Sequence, residues 1–198
     1  MPRRSVADAA LTHEAILGRA VDMASTDGLE GLTIGRLAAD LEMSKAGVIG
    51  HFGSKEALQL AALEQAIEVF SAEVWEPAAR RPAGRARLEA IADGWISYLR
   101  RDVFPGGCFL TAASCEWDGR GGPVREAVAA AFVRWRRVIE HETRTAIALG
   151  ELAPGTDPAQ VAFELNAIAM GLNQALQLHR DRKALSRAKA AMARAIAR

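Results

Sequence analysis

The chain has 198 residues, half of them hydrophobic, and a formal net charge of +1 at pH 7. This length is ample for a hydrophobic core in one or two domains, and the balanced charge excludes a strongly basic or acidic chain. Alanine is abundant and tyrosine occurs once, a composition that favours helices over strands. We therefore expect an all-α protein.

The apolar runs and the cysteine content indicate the compartment. The longest uninterrupted apolar run, residues 127–133, is far too short to span a bilayer. Asp8, His13 and Glu14 interrupt the N-terminal segment, so no cleavable leader is expected, and two cysteines fit a reducing environment. We predict a cytoplasmic protein without membrane contact.

The first predicted helix begins near Thr12 and ends at Gly28, which we expect to form a left-handed C-terminal cap. Its apolar face recurs at helical spacing. The residues of this face are Ile16, Leu17, Ala20, Val21 and Ala24.

Residues 33–56 predict two short helices joined by a tight turn, followed by the start of a third helix. Thr33, Ser44 and Ser54 are the predicted N-caps of these three helices. Two apolar faces support this prediction. Their residues are Leu32, Ile34, Leu37, Ala38 and Leu41 for the first helix, and Val48 and Phe52 for the second. Two helices joined this closely can place one helix in the DNA major groove.

About nine helices are predicted in all, and no segment has a strand pattern. A helix over residues 54–75 is expected to stop at Pro77 and Pro82. The remaining helices cover about 85–101, 107–117 and 123–149, then a segment starting at Asp157-Pro158, and finally about 183–197.

The residues around the two short helices resemble the TetR (TetR/AcrR) family of bacterial transcriptional regulators. The resemblance lies mainly in residues 29–33, 37–38, 44–47 and 51–58, with shorter similarities at 106–110 and 152–158. It implies an N-terminal three-helix DNA-binding domain, residues 1–56, and a helical ligand-binding and dimerisation domain, residues 57–198. It also implies a homodimer that binds a palindromic operator in double-stranded DNA.

The resemblance further implies which residues contact DNA. Ala46 to His51 correspond to the recognition helix, and Lys45, Gly47 and His51 occupy positions at or near the groove. Thr33 and Lys55 correspond to phosphate contacts, and Ser44 caps the recognition helix. Arg3 and Arg4 are candidates for a basic arm along the minor groove. The other interpretations are a solvated terminus for the two arginines, a packing role for His51 and a solvated Lys55.

Two features of this segment differ from the expected pattern. Residues 1–56 contain six basic and eight acidic side chains, although nucleic-acid-binding domains are usually basic. Ile49 and Gly50 stand where TetR-like recognition helices usually carry tyrosines, and Glu42 stands where a turn glycine is common. We therefore expect a missing phosphate-contacting hydroxyl and a strained turn.

The resemblance implies that the last two long helices pair with a second copy. Two apolar stripes are candidates for that surface, and an intramolecular core face is the alternative. They consist of Val161, Leu165, Ile168, Ala169, Leu172 and Leu176 on one helix, and Leu185, Ala188, Met192 and Ile196 on the other. Ala167, Ala169 and Gly171 would allow close helix approach.

The resemblance also implies a small-molecule pocket. Aromatic residues of the middle helices, together with polar residues and a methionine of a later helix, would form it. The candidates are Trp95, Phe104, Phe109, Trp117, Phe132, Trp135, Asn166, Met170, Asn173 and Gln174. This mixture suits a small, largely apolar effector, although ordinary core packing is the alternative for each residue.

Cys108 and Cys115 lie seven positions apart on one predicted helix, about 10 Å from each other, which excludes a disulfide between them. We predict a buried structural thiol at each position, with a redox or electrophile sensor as the alternative. The histidines are too scattered to indicate a metal site. No cofactor is expected.

The sequence therefore predicts a ligand-responsive transcriptional regulator, most simply a repressor. A helical ligand-binding or scaffold protein with a degenerate DNA-binding head is the alternative. An enzyme is not expected, because no catalytic spacing is present.

Overall fold

The computed structural model describes residues 6–197, with side chains from residue 8 onward. Within that range the chain forms nine helices and no strand, as the composition and periodicity predict. They are α1 (Val6–Gly31), α2 (Ile34–Asp40), α3 (Lys45–Phe52), α4 (Lys55–Phe70, continued to Ala79), α5 (Arg85–Arg100), α6 (Phe109–Trp117), α7 (Pro123–Ala148), α8 (Pro158–Gln177) and α9 (Ala184–Ile196).

The chain forms two compact units. The first ends at Ile67 but also includes Phe104–Val128, so α6 belongs to the same unit as α1, α2 and α3. The second consists of Glu68–Val103 and the chain from Ala129 onward. The helices α4 and α7 each contribute residues to both units.

Side-chain oxygens start the short helices of the first unit, as predicted. The Thr33 hydroxyl accepts from the Arg36 N–H, and the Ser44 hydroxyl accepts from the Gly47 N–H at 3.0 Å. The Ser54 hydroxyl accepts from the Ala57 N–H at 3.0 Å, which starts α4. These bonds satisfy N–H groups that the first turn of a helix cannot pair internally.

Pro77 does not end α4, contrary to the expectation. Residues Ser71–Trp75 form a π-helical turn, in which the Glu76 N–H donates to the Ser71 carbonyl, and an α-helical turn Glu76–Ala79 follows. Pro77 lies in the first turn of that segment, where the missing N–H of proline costs least. The widened turn therefore carries the helix past the proline as far as Ala79.

Gly28 interrupts α1, as predicted, but its backbone is not that of a left-handed cap. Its φ of 80° and ψ of 163° lie outside the left-handed helical region, and a short helical segment continues to Gly31. A Cβ at residue 28 would lie 2.8–2.9 Å from the carboxylate atoms of Glu116. The positive φ favours glycine here, and a Cβ would also displace the Glu116 carboxylate.

The second unit has an aromatic cluster around Phe70. The rings of Trp95, Tyr98 and Trp135 lie 5.6, 5.4 and 5.0 Å from the Phe70 ring, all edge to face. This is the favourable geometry for aromatic pairs. Trp95 therefore belongs to the core of the second unit, and only 3 % of it is exposed.

A buried carboxylate organises the start of α5. Glu142 of α7, 1 % exposed, accepts from the Gly84 N–H at 3.0 Å and pairs with Arg87 at 2.9 Å. Glu151 accepts from the Arg85 N–H at 2.8 Å. Two acidic side chains distant in sequence thus accept hydrogen bonds from backbone N–H groups at the N-terminus of α5, where negative charge is favoured.

The apolar stripes proposed for dimer contact face the core of their own chain. Val161, Leu165, Ala169, Leu172 and Leu176 of α8 are buried, as are Ala188, Met192 and Ile196 of α9, while Ile168 and Leu185 are half-buried. The contacts of α8 and α9 with each other and with α5 account for this burial. The intramolecular alternative is therefore correct for the buried residues of both stripes.

The turn between α2 and α3 is strained, as expected from its sequence. Glu42 has a φ of +53°. Its N–H donates to the Ala39 carbonyl at 3.2 Å, and the Met43 N–H donates to the Ala38 carbonyl at 2.8 Å. This is a Schellman motif, in which glycine normally occupies the position of Glu42.

We predict that Glu42→Gly raises the free energy of unfolding by about 0.5–1 kcal/mol, because glycine adopts this φ without the Cβ clash. Urea unfolding followed by far-UV circular dichroism measures the change. Glu64→Gly is the matched control, because residue 64 is an exposed glutamate in the interior of α4. The control should lower stability by a similar amount, and a Glu42→Gly variant that is also destabilised would contradict the strain argument.

Candidate nucleic-acid interface

Helix α3 lies on the surface of the first unit and exposes one face. Val48 is fully buried, whereas Lys45, Ala46, Ile49 and Gly50 are exposed. Positions three and four residues apart lie on the same side of an α-helix, as residues 45 and 49, 46 and 49, and 46 and 50 do here. A helix, Lys45–Phe52, thus lies where the recognition helix is predicted over Ala46 to His51, and one of its faces is exposed.

Lys45 begins α3 and lies across the start of α2. A methyl group placed at Gly35 would come within 3.1 Å of Lys45 Cε and 3.5 Å of its Nζ. The ammonium group is exposed, and among the described residues no ion pair is found for it. Lys45 is therefore placed to donate to a base edge or a phosphate.

Carboxylates of the same unit neutralise the other described cations of residues 8–56. Arg19 Nε donates to Asp40 Oδ2 at 2.9 Å, and Arg36 pairs with Asp27. These pairs explain part of the acidic excess in this segment. They leave Lys45 as its one described cation without a carboxylate partner.

Lys55, predicted to meet a phosphate, contacts Glu30 in this structure. Its Nζ donates to the Glu30 carbonyl at 2.8 Å and lies 3.3 Å from Glu30 Oε1. The hydrogen bond and charge of Lys55 lower the pKa of the Glu30 carboxyl below its ordinary value. The Lys55 ammonium is thus already paired with Glu30, and a DNA phosphate would compete with Glu30 for it.

His51 packs against α1. Its ring centroid lies 6.0 Å from that of His13, and His13 stacks on Phe52 at 4.4 Å. His51 is half-buried, consistent with the packing role left open from sequence. Because it follows Gly50 directly, it still borders the exposed face of α3.

The other predicted contact residues are surface positions at helix starts. Thr33 and Ser44 are exposed caps, Ala46 is exposed, and Gly47 is half-buried with its N–H used by Ser44. The proposed basic arm, Arg3 and Arg4, lies outside the described residues.

Glu116 of α6 holds the segment just before α2, a contact that sequence reasoning missed. Its carboxylate accepts from the Leu29 and Glu30 N–H groups, each at 2.8 Å. We call this pair of bonds the Glu116 bridge. Gln59 Nε2 donates to the Leu29 carbonyl at 2.7 Å, and Arg120 Nη1 lies 3.8 Å from Glu30 Oε2. Helices α1, α4 and α6 therefore converge where the two short helices begin.

A cavity of about 580 Å³ lies between α7 and α8 in the second unit. Phe132, Trp135 and Asn166, all predicted to line a pocket, do line it. The other lining residues are Val133, Arg136, Ile139, Glu140, Ala159, Ala162 and Phe163. The Nε1 atoms of Trp95 and Trp135 are buried without a hydrogen-bond partner among the described residues.

The remaining pocket candidates are not among those lining residues. Phe104, Phe109 and Trp117 are buried in the first unit, where the first two rings lie 5.7 Å apart. Met170 accepts from Asn166 Nδ2 at 3.4 Å, Asn173 is half-buried and Gln174 is exposed. Aromatic content alone did not distinguish core from cavity.

One of the two cysteines is buried as predicted and the other is not. Cys108 is buried but precedes α6 as its N-cap residue, and Cys115 within α6 is exposed. A buried structural role therefore fits Cys108 and not Cys115. Among the described residues no group of His, Cys, Asp and Glu could hold a metal ion. No helix in the same part of the chain is long and apolar enough to cross a membrane.

Comparisons with known proteins agree with this geometry. Residues 16–62 match the model of bacterial regulatory proteins of the tetR family, and residues 84–192 match the tetracyclin repressor-like C-terminal domain. The second match alone covers more than half of the chain. No curated protein matches the chain.

Solved structures with the same fold include a TetR transcriptional regulator from Chloroflexus aurantiacus J-10-FL. It is 27 % identical, with a TM-score of 0.89 over 96 % of both chains. SCO4454, a TetR-family regulator from Streptomyces coelicolor, is 22 % identical, with a TM-score of 0.80 over 94 % of this chain and 95 % of its own.

A third structure contains DNA. It is a cysteine mutant of the TetR family regulator CifR, complexed with 26-base-pair double-strand operator DNA. CifR is 26 % identical, with a TM-score of 0.76 over 92 % of this chain and 94 % of its own. The chain belongs to the TetR family of transcriptional regulators.

We predict that Lys45→Ala weakens binding to the protein's own operator by about 1–3 kcal/mol, because an exposed lysine at the start of α3 donates to guanine. Binding to random DNA should change little, and the slope of log K against log salt should stay constant. Fluorescence anisotropy at several salt concentrations measures both quantities. Lys183→Ala, an exposed lysine of the second unit, is the control. Equal losses on both DNAs with a shallower slope would make Lys45 a phosphate contact.

Proposed function

We propose that this protein is a cytoplasmic, homodimeric repressor that binds a palindromic operator and is released by a small, largely apolar effector. The DNA-binding part of the proposal rests on the exposed face of α3. This face belongs to one of two N-capped short helices in the TetR-family head. A relative of similar fold is known in complex with operator DNA. Residues 1–56 would form the DNA-binding domain and residues 57–198 the ligand-binding and dimerisation domain.

Selection of sheared genomic DNA by the purified protein, followed by sequencing, tests the proposal. The salt concentration should be about 150 mM, so that non-specific phosphate binding is suppressed. Enrichment of a short palindrome is the expected result. A folded dimer that enriches no sequence would instead support a ligand-binding or scaffold protein with a degenerate head.

A dimer requires an exposed surface, and the outer faces of α8 and α9 provide one. Along α8 this face contains Phe163, 66 % exposed, and Leu178, 69 % exposed, with Ala167, Gly171 and Gln174 exposed between them. Along α9 it contains small exposed residues, namely Ser186, Ala190, Ala193 and Ala197. Large apolar groups beside small residues suit close helix packing across a two-fold axis.

We predict that Gly171→Glu converts the dimer to a monomer and abolishes tight operator binding, because one recognition helix contacts too few base pairs. The fold should survive, since a Cβ at residue 171 would meet nothing within 4 Å. Light scattering with size-exclusion chromatography measures the mass. Leu149→Glu, at another exposed site, should remain dimeric. A dimeric Gly171→Glu protein would exclude this surface.

The cavity between α7 and α8 supports the effector part of the proposal. Its aromatic and aliphatic lining residues suit a largely apolar molecule. The Asn166 amide, the unpartnered Trp135 N–H and the charged side chains of Arg136 and Glu140 can contact polar atoms on it. Binding there would favour a conformation with lower operator affinity, by population shift.

We predict that Ala159→Trp reduces release from the operator, because the larger side chain fills the exposed side of the cavity. Cell-extract fractions are first screened for release of wild-type protein from labelled operator. The active fraction is then titrated against the variant, which should need a concentration at least about tenfold higher. Ala148→Trp, also exposed, is the control. An effector role would be contradicted if no fraction released the wild type.

A further inference from the structure

The exposed face of α3 has almost no hydrogen-bonding capacity. Of Lys45, Ala46, Ile49 and Gly50, only Lys45 has a polar side chain. Ser44, next to this face, already uses its hydroxyl as an acceptor for the Gly47 N–H. No residue of this face has an amide or carboxylate side chain. The exposed face of α3 therefore cannot distinguish base pairs through such contacts.

Ile49 is the largest apolar side chain on this face, and 43 % of it is exposed. The same helix buries Val48 completely, so the core of the first unit does not need Ile49. An exposed β-branched side chain in the middle of an eight-residue helix does not improve helix formation either. Ile49 is therefore available to contact an apolar group of a partner that approaches this face.

In the major groove, the apolar group that a base pair offers is the C5 methyl of thymine. Guanine, cytosine and adenine present donors and acceptors, which an isoleucine side chain can only desolvate without compensation. An isoleucine facing base edges thus favours thymine and disfavours the other bases. Ala46, one turn before Ile49 on the same face, offers a second and smaller apolar contact.

Gly50 next to Ile49 allows the helix to approach the DNA closely. A Cβ there would meet nothing within 4 Å, so no intramolecular contact requires glycine at this position. Glycine inside a helix costs about 1 kcal/mol relative to alanine. Without a side chain at residue 50, the backbone of α3 can lie nearer to the groove, which brings Ile49 within contact of a methyl group.

We propose that Ile49 contacts the C5 methyl of a thymine in each operator half-site and thereby determines sequence preference at that position. This inference rests on the proposed DNA-binding function. It assigns a role to the two residues at which α3 differs from the usual TetR-like pattern. An apolar contact by Ile49 and a close approach of the α3 backbone at Gly50 take the place of the tyrosine hydroxyl contact that the usual pattern implies.

The experiment uses the operator obtained by genomic selection and the full-length protein. Each thymine is replaced in turn, in both half-sites, by deoxyuridine, which keeps the base pair but lacks the methyl group. Wild-type binding should fall about tenfold to twentyfold at one symmetric position, since one buried methyl group is worth about fourfold and two half-sites contribute. At the other thymines the change should be less than about twofold.

Ile49→Ala identifies the residue responsible. This variant should bind the thymine operator about as weakly as wild type binds the substituted one, and should be insensitive to deoxyuridine at that position. Such coupling in a double-mutant cycle is specific to a direct contact. Leu149→Ala, which shortens another exposed aliphatic side chain, in the second unit, should behave as wild type. Thermal unfolding of Ile49→Ala should match wild type, and Ile49→Val serves as a second variant with an intermediate loss.

The outcomes separate this inference from the proposed function. Tight operator binding that no deoxyuridine weakens would overturn the methyl contact and leave the DNA-binding function in place. Sensitivity to deoxyuridine that persists in Ile49→Ala would assign the methyl to another residue and also overturn the inference. If selection enriches no sequence, both fall together.

Discussion

The arrangement of the DNA-binding head depends on one carboxylate from a helix that is distant in the sequence. Glu116 of α6 accepts from the backbone N–H groups of Leu29 and Glu30, immediately before the short helices begin. These N–H groups follow the interruption of α1 at Gly28, where the backbone turns out of the helix and needs new acceptors. A charged acceptor makes such bonds stronger than neutral ones. The Glu116 bridge therefore determines the direction in which the chain leaves α1 and enters the helix-turn-helix.

Further constraints reinforce the Glu116 bridge within the first unit. Gly106, just before α6, approaches α1 so closely that a Cβ there would lie 1.6 Å from the Ser25 carbonyl oxygen. The buried amide of Gln59 holds the Leu29 carbonyl, and Lys55 holds that of Glu30. Helix α6 is thus tied by these contacts to the helices of the DNA-binding head, all within the first unit.

Local chemistry explains why much of this fold is predictable from sequence. The hydroxyls of Thr33, Ser44 and Ser54 and the apolar spacing around Leu37 predict the head correctly, because caps and periodicity act over a few residues. The strain at Glu42 follows from the same local rules. The errors concern interactions that local patterns do not encode. Pro77 is accommodated by a π-helical turn, and the apolar stripes of α8 and α9 face their own chain. The Glu116 bridge spans 87 residues, and no spacing rule indicates it.

The most direct test of this account is amide hydrogen exchange at Leu29 and Glu30 in wild type and in Glu116→Gln. A neutral side chain weakens charge-assisted bonds that are worth about 1.5–3 kcal/mol. Exchange at both amides should therefore accelerate by at least about tenfold, with faster exchange in α2 and α3 as well. Glu126→Gln, an exposed glutamate of the same unit, should leave the rates unchanged. Unchanged protection of Leu29 and Glu30 in Glu116→Gln would show that the head is held without this carboxylate.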